Sequence, residues 1–301
     1  MREDRPSATA YLIARSTLAV ARHPVLGQFV PRHSAELSER FVGAGSRCAR
    51  LMSAVGGSSL ARPLAGMLER LTVPGIKLHY ALRKRFLEEV ARAALGDGLR
   101  QVVVLGAGFD TLALRLRDGS PETKFFEVDH PATQRAKIRA LGGDEAAGRN
   151  LRFIPLDFAR GSLEGALLSR ADYDREADTL FVAEGLLMYL ALAEVDLVLN
   201  FVRRHSGRAS RLAFTFMETQ AGGRIGFRRS SRLVSAWLCL RRESFRWGLP
   251  RAQAREFLAA RGLAVRELIS SETLRARYLT AEGLGHQRLA DGECICVCEP
   301  S

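Results

Sequence analysis

The sequence predicts an α/β protein: a doubly wound, mostly parallel sheet of seven strands, with an N-terminal helical cap and an inserted lid. Three observations predict it. From residue 100 onward, short apolar runs rich in β-branched residues alternate with helical patterns. The first run, QVVVL (101–105), ends in a glycine turn, GAG (106–108), of the kind that opens a ligand crevice in such sheets. Residues 1–95, by contrast, carry apolar residues at three- and four-residue spacing and contain no convincing strand.

The elements follow in order. YLIARSTLAVARH (11–23), SERFVGAGSRCARLMSAV (38–55) and RKRFLEEVARAAL (83–95) read as helices, punctuated by Pro24, Pro31, Pro63 and Pro74. After the first strand, DTLALRLRD starts a helix with Asp110 or Thr111 as its cap. KFFEVD (124–129) is the second strand, and PATQRAKIRAL the second helix, with Pro131 suited to its first turn. LRFIPLD (151–157) and GSLEGALLSR (161–170) give the third strand and helix. DTLFVAEGLLMYL is a fourth strand running into a turn, LAEVDLVLNFVRRH (192–205) its helix, and RLAFTFME (211–218) the fifth strand. The basic, Trp-bearing stretch 218–248 is too long for a simple connection and is expected to be the lid. PRAQAREFLAARG is a helix. LAVRELIS (263–270) and GECICVCE (292–299) are the last two strands, the final one open to an antiparallel setting because no well-patterned helix separates them. The expected division is a helical cap over 1–95 and a sheet domain over 96–301.

Composition narrows the function. The 301 residues are 47% hydrophobic and 26% charged, as in ordinary globular proteins. The net charge of +12 comes almost wholly from arginine, since the only lysines are Lys77, Lys84, Lys124 and Lys137. The arginines are dispersed and no aromatic-interleaved basic motif appears, so nucleic acid is not the expected partner. Arg15 and Arg22 interrupt the apolar N-terminal stretch, which fits neither a signal peptide nor a membrane span; the expected location is the cytoplasm. The five cysteines form no disulfide framework. Cys294, Cys296 and Cys298 alternate with Ile295 and Val297, which puts all three thiols on one face of a strand, as core residues and not as metal ligands.

The glycine turn selects among ligands. A triphosphate loop needs GxxxxGK[ST], and no lysine follows here. A dinucleotide fingerprint needs a third glycine where Thr111 stands. Asp129, at the end of the second strand, can accept both hydroxyls of a ribose, which serves a nicotinamide dinucleotide and S-adenosylmethionine alike. Asp110 follows the turn where a pyrophosphate would lie; a carboxylate there repels phosphate and attracts a sulfonium or an ammonium. Asp157 ends the third strand, where it could take an adenine amino group with Phe158 against the ring, and Glu184 ends the fourth. Four carboxylates at four successive strand ends suit a cationic adenosyl ligand better than four independent helix caps.

The stretches QVVVLGAGFDTLALRL, KFFEVDHPATQRAK, IPLDF and FVAEGLLMYL resemble the leucine carboxyl methyltransferase family, whose bacterial branch includes polyketide O-methyltransferases of the tetracenomycin type. The similarity covers roughly residues 75–215. It implies a class I, Rossmann-like, S-adenosylmethionine-dependent methyltransferase. It also implies cofactor binding through Gly106, Ala107 and Gly108, through Asp129 at the ribose, through Asp157 and Phe158 at the adenine, and through Glu184 near the methionine amino group. The family's arginine for the methionine carboxylate matches Arg83, with Arg85 as the alternative; a guanidinium forks onto a carboxylate. This chain has Leu112 where many bacterial relatives have arginine, and Glu88 and Glu89 where a paired aspartate often follows.

The acceptor side is less legible. Methyl transfer needs alignment and a deprotonated acceptor; a carboxylate needs no general base, a hydroxyl does. Tyr189 and Glu184 are the candidate catalytic residues, with His79, Tyr80 and Glu218 as further rim candidates, and His130 expected to cap the second helix. Arg224, Arg228, Arg229, Arg232, Arg241 and Arg242 of the lid could receive an acidic substrate. The expected partner is a small-molecule acceptor of a methyl group on oxygen. Two other classes remain open on the residues: a nicotinamide-dependent oxidoreductase on the same fold, and a non-catalytic adenosyl-binding protein.

Overall fold

The computed structural model describes residues 6–44 and 61–301. The second half of the helical pattern 38–55, with Cys48, lies outside the described residues. Eight strands form one sheet: β1 (Gln101–Leu105), β2 (Lys124–Asp129), β3 (Leu151–Pro155), β4 (Thr179–Ala183), β5 (Arg211–Glu218), β6 (Gly248–Leu249), β7 (Leu263–Ile269) and β8 (Glu293–Pro300). The order is β3-β2-β1-β4-β5-β8-β7, with β6 pairing with β5. The five leading strands are parallel, and β8 runs antiparallel to both β5 and β7. All seven expected strands are present. The two-residue β6 is an addition, too short to leave a pattern in the sequence. The chain steps outward through β1, β2 and β3, then returns to place β4 on the other side of β1. The crevice this reversal opens lies at the C-terminal ends of β1 and β4.

Helices cover both faces. On one face lie α1 (Ala8–Ala21), α2 (Arg32–Gly43), α4 (Ile76–Gly96), α5 (Leu112–Leu116), α6 (Pro131–Leu141) and α10 (Ser271–Tyr278), whose Leu18, Phe41, Phe86, Leu114, Ala136 and Leu274 pack with Val102, Val104, Phe125 and Val182 of the sheet. On the other face α7 (Leu192–Arg204) and α9 (Ala254–Ala259) pack Val198, Phe201 and Leu258 against Val103, Phe126, Phe181 and Phe214. Neighbouring residues of one strand serve opposite cores, which is why the parallel strands read as unbroken apolar runs. Cys294, Cys296 and Cys298 all fall in the second core, buried, as their alternation requires. Two further helices, α3 (Ala61–Thr72) and α8 (Arg232–Arg241), lie at the periphery, tied by a hydrogen bond from the Ser231 amide to the Thr72 carbonyl at 2.9 Å. Pro63 falls inside the described span of α3 and not between helices. The expected helix 161–170 is a single π-type turn, Glu164–Leu168, held mainly by burial of Leu167. No helix among the described residues is long and apolar enough to cross a membrane.

Candidate active site

The turn after β1 is bent by two glycines in left-handed conformations, Gly106 (φ +65°) and Gly108 (φ +50°), which a side chain would strain. A Cβ on Gly106 would also lie 2.9 Å from the side chain of Leu186. The Gly106 amide is used by the Val128 carbonyl, at 2.8 Å, which ties the turn to β2. Beneath it, Lys137 of α6 donates to the Asp110 carbonyl at 2.6 Å and pairs with Glu127 of β2 at 2.6 Å, both side chains buried. The Asp110 carboxylate accepts from the Leu112 amide at 2.6 Å and so caps α5 from two residues ahead.

Above this turn lies a cavity of about 350 Å³. Every residue expected at the cofactor site lines it: Arg83, Gly106, Ala107, Gly108, Asp110, Asp129, Asp157, Phe158 and Glu184. Tyr189 and His130 line it too. Asp129, buried at the end of β2, has one carboxylate oxygen, Oδ2, with no hydrogen-bond partner. Burial pushes its pKa up to about 7, against backbone amides of His130 and Gly108 that favour the charged form. Asp157 is more open; its Oδ1 accepts from the Ala159 amide at 3.1 Å. His130 caps α6 as expected, with Nδ1 accepting from the Ala132 amide at 3.3 Å. That bond leaves the ring proton on Nε2, which faces Asp157 at 3.8 Å.

A network of charges forms the wall between β1 and β4. Arg83 of α4 contacts Glu184 Oε1 through Nε (2.9 Å) and Nη2 (2.7 Å), and Glu293 of β8 through Nη1 (2.7 Å). Glu293 is also held by His79 Nε2 at 2.7 Å. Lys84 bonds Glu184 Oε2 at 2.9 Å and the Asp110 carboxylate. Asp110 is therefore held ionised, well below the usual carboxylate range, by Lys84 and Lys137 against the cost of burial. Glu293, with Arg83 and His79 around it, is held down to about 2.

The outer wall comes from chain segments distant from the sheet: Ser7, Thr9, Ala10 and Ile13 of the N-terminal region, and Arg242, Glu243, Ser244 and Arg246 of the insertion. Glu243 binds them together. Its carboxylate accepts from the Ala8 and Thr9 amides, at 3.0 Å each, and from the Thr9 hydroxyl. Ser7 caps α1 and its amide donates to Thr133 of α6 at 3.0 Å. The Tyr189 phenol meets Thr9 and is pushed far above its usual range by burial.

Several expectations are corrected. His79, Tyr80 and Glu218 do not form the cavity rim. His79 is fully buried on Glu293, Tyr80 lies beneath the Arg83 guanidinium (4.8 Å to the ring centre), and Glu218 is paired with Arg228 at 2.8 Å. Of the six lid arginines only Arg242 lines the cavity. Arg224 folds back onto Gln220 and the Arg228 carbonyl, Arg228 pairs with Glu218 and Asp291, and Arg241 lies over Trp237. Arg85, the alternative to Arg83, points away, onto Glu89 at 3.3 Å. Sequence reasoning missed Lys84, Glu243, Lys137 and Glu293. A signal existed only for Lys84 and Lys137, two of four lysines in an arginine-rich chain. No group of metal-ligating side chains occurs among the described residues.

The model of one family, leucine carboxyl methyltransferase, matches residues 24–203. A protein of Frankia alni, provisionally named an S-adenosyl-L-methionine-dependent methyltransferase, is 34% identical over 180 residues, 60% of this chain and 59% of the relative. A Mycolicibacterium smegmatis protein with the same provisional name is 38% identical over 154 residues, 48% of this chain and 50% of the relative. The chain thus spans between about half and three fifths of the length of these curated relatives. Among solved structures, a Thermobifida fusca protein, also provisionally named a methyltransferase, superposes with a TM-score of 0.58 at 15% identity, covering 99% of this chain and 96% of that one. A protein of the DUF574 family from Streptomyces avermitilis gives 0.56 at 13% identity over the full length of both. At such identities the likeness shows the fold.

Proposed function

Since the chain belongs to the leucine carboxyl methyltransferase family, we propose that it is an S-adenosylmethionine-dependent methyltransferase that methylates an oxygen, that of a carboxylate, on a small molecule. The observation that carries the cofactor reading is Asp129. Its Oδ2 is buried, without a partner, and on the wall of a cavity floored by a glycine turn. A carboxylate left so is short of donors, and a pair of ribose hydroxyls supplies them. The cofactor supplies an electrophilic methyl on a sulfonium; the chain supplies position and charge. Asp110, Lys84 and Glu184 present alternating charges to its amino-acid end, with Arg83 bracing Glu184, while Asp157 and Phe158 stand at the base. The ionised Asp110 disfavours a pyrophosphate at the same turn, which is why the oxidoreductase reading is the weaker one.

A carboxylate acceptor is preferred to a hydroxyl because, among the described residues lining the cavity, Asp129 is assigned to the ribose and Tyr189, His130 and Glu243 are each unsuited to oxygen deprotonation. The Tyr189 phenol is raised by burial, the acceptor nitrogen of His130 is used in capping α6, and Glu243 is engaged by three donors. A carboxylate is already ionised at neutral pH and needs only to be oriented; Arg242 and Arg246 on the outer wall are the cations available for that.

Calorimetric titration tests the cofactor reading. S-adenosylhomocysteine is expected to bind in the micromolar range, NADH not to bind, and Asp129→Ala to weaken the former by at least tenfold. Binding of NADH in place of S-adenosylhomocysteine would overturn it. Incubation with candidate acids and labelled cofactor should give alkali-labile esters; products methylated on nitrogen or carbon would overturn the acceptor assignment.

A further inference from the structure

The amino-acid end of the proposed cofactor is a zwitterion, and its carboxylate needs a cationic partner. Arg83 is the obvious one by position, but most of its hydrogens are committed. Nε and Nη2 both serve Glu184 and Nη1 serves both oxygens of Glu293, so four of its five N–H groups are engaged by carboxylates. Its side chain, though on the cavity wall, is only 3% exposed, and its guanidinium lies over the Tyr80 ring at 4.8 Å.

Lys84 is placed differently. Adjacent residues of a helix point about 100° apart, so Arg83 turns toward β8 while Lys84 turns toward the glycine turn. The two straddle Glu184. Lys84 Nζ bridges Glu184 and Asp110, its side chain remains 19% exposed on the cavity wall, and its third N–H has no acceptor among the described residues. The wall therefore reads carboxylate, ammonium, carboxylate: a negative, positive, negative series that complements an ammonium and a carboxylate two bonds apart.

We propose that Lys84, held between Asp110 and Glu184, receives the carboxylate of the cofactor's methionine moiety, with Arg83 acting as a positioning residue that fixes Glu184. This rests on the cofactor reading above. It makes Lys84 a determinant of selectivity for adenosyl ligands that retain the carboxylate. The flanking carboxylates keep the lysine charged and in place, and they receive the ligand's ammonium on either side of it.

The test pairs Lys84→Met with two ligands: S-adenosylhomocysteine, and 5′-deoxy-5′-(3-aminopropylthio)adenosine, which lacks only the carboxylate. Removing a charged hydrogen bond is expected to weaken the first roughly ten- to hundredfold while the second stays within about threefold of wild type. Lys84→Arg, which keeps charge and bridging, should recover part of the loss, and unchanged circular dichroism of both variants verifies that they fold. Equal weakening of both ligands would mean that Lys84 only organises the wall and would overturn the proposal. Tightening of both would show that its ammonium is a placeholder displaced on binding, which also overturns it. If wild type binds neither ligand, the cofactor reading itself fails.

Discussion

Asp129 shows how one unpaired oxygen makes a site sensitive to pH. Its pKa in the folded chain lies near 7, above the ordinary 3.8, because burial penalises the charged form. The proton it binds on folding stabilises the ligand-free protein fully below pH 4, and that contribution is lost as pH rises through 7. Ribose hydroxyls that donate to the carboxylate favour its ionised form and reverse the preference. S-adenosylhomocysteine affinity should therefore rise by roughly tenfold per pH unit up to about 7 and level off above it. His130, beside it, is pushed below its usual range by burial, and Lys137 is paired with Glu127 at 2.6 Å. Asp129→Asn should bind weakly and flatten the profile between pH 5.5 and 8; a profile unchanged by that substitution would sever Asp129 from the ligand. At this scale the strand-end acids were legible because each follows an apolar run directly. Glu293 was not: it stands 210 residues from the Arg83 it holds, and only the antiparallel setting of β8 beside β5 brings them together.

The elements that close the cavity are the N-terminal turn of α1 and the segment after α8, and Glu243 joins them. Its carboxylate sits at the N-terminus of α1, where the helix leaves amides unpaired and the dipole favours negative charge. Arg242, just before it, adopts a left-handed conformation (φ +58°) that ends α8 and turns Glu243 inward. Glu243→Gln keeps the shape but weakens three charge-assisted bonds, at a cost of about 1–3 kcal/mol. Faster hydrogen exchange is expected in residues 7–13 and 242–246, together with faster release of S-adenosylhomocysteine and little change in exchange across β1–β5. Unchanged exchange in both segments would show that other contacts hold the wall. The sequence signalled an insertion at 218–248 through its length, but not this contact, which depends on a salt-bridge-like acceptor meeting bare helix amides. The strands were legible for the opposite reason: a central parallel strand is apolar on both faces, so its pattern needs no knowledge of its neighbours. The expected helix 161–170 shrinks to the turn Glu164–Leu168: its apolar residues suit three-residue spacing, yet only Leu163 and Leu167 are buried, with Ala166 and Leu168 at the edge of the core.

At the scale of the whole molecule, the helical N-terminal region and the sheet share one core. Phe86 and Leu82 of α4, both fully buried, pack in the same cluster as Val102 and Val104 of β1 and Leu180 and Val182 of β4, while α1 packs along α4. The same helix carries Arg83 and Lys84, so the site wall is as firm as the seating of α4 on the sheet. A cap that folded by itself would unfold by itself; a shared core makes α4 melt with the sheet. Phe86→Ala should thus cost about 3–5 kcal/mol through the cavity it leaves. The loss should appear as one shifted transition, coincident by far-ultraviolet circular dichroism and, in a Trp237→Phe background, by the fluorescence of Trp247, which is buried on the opposite face of the sheet. S-adenosylhomocysteine should raise the midpoint in wild type and in Phe86→Ala alike, because ligand that binds only the native state adds stability by mass action wherever the destabilising change lies. Two separated transitions, with the fluorescence change unaffected by Phe86→Ala, would instead divide the chain near residue 95 and make the cap a domain of its own.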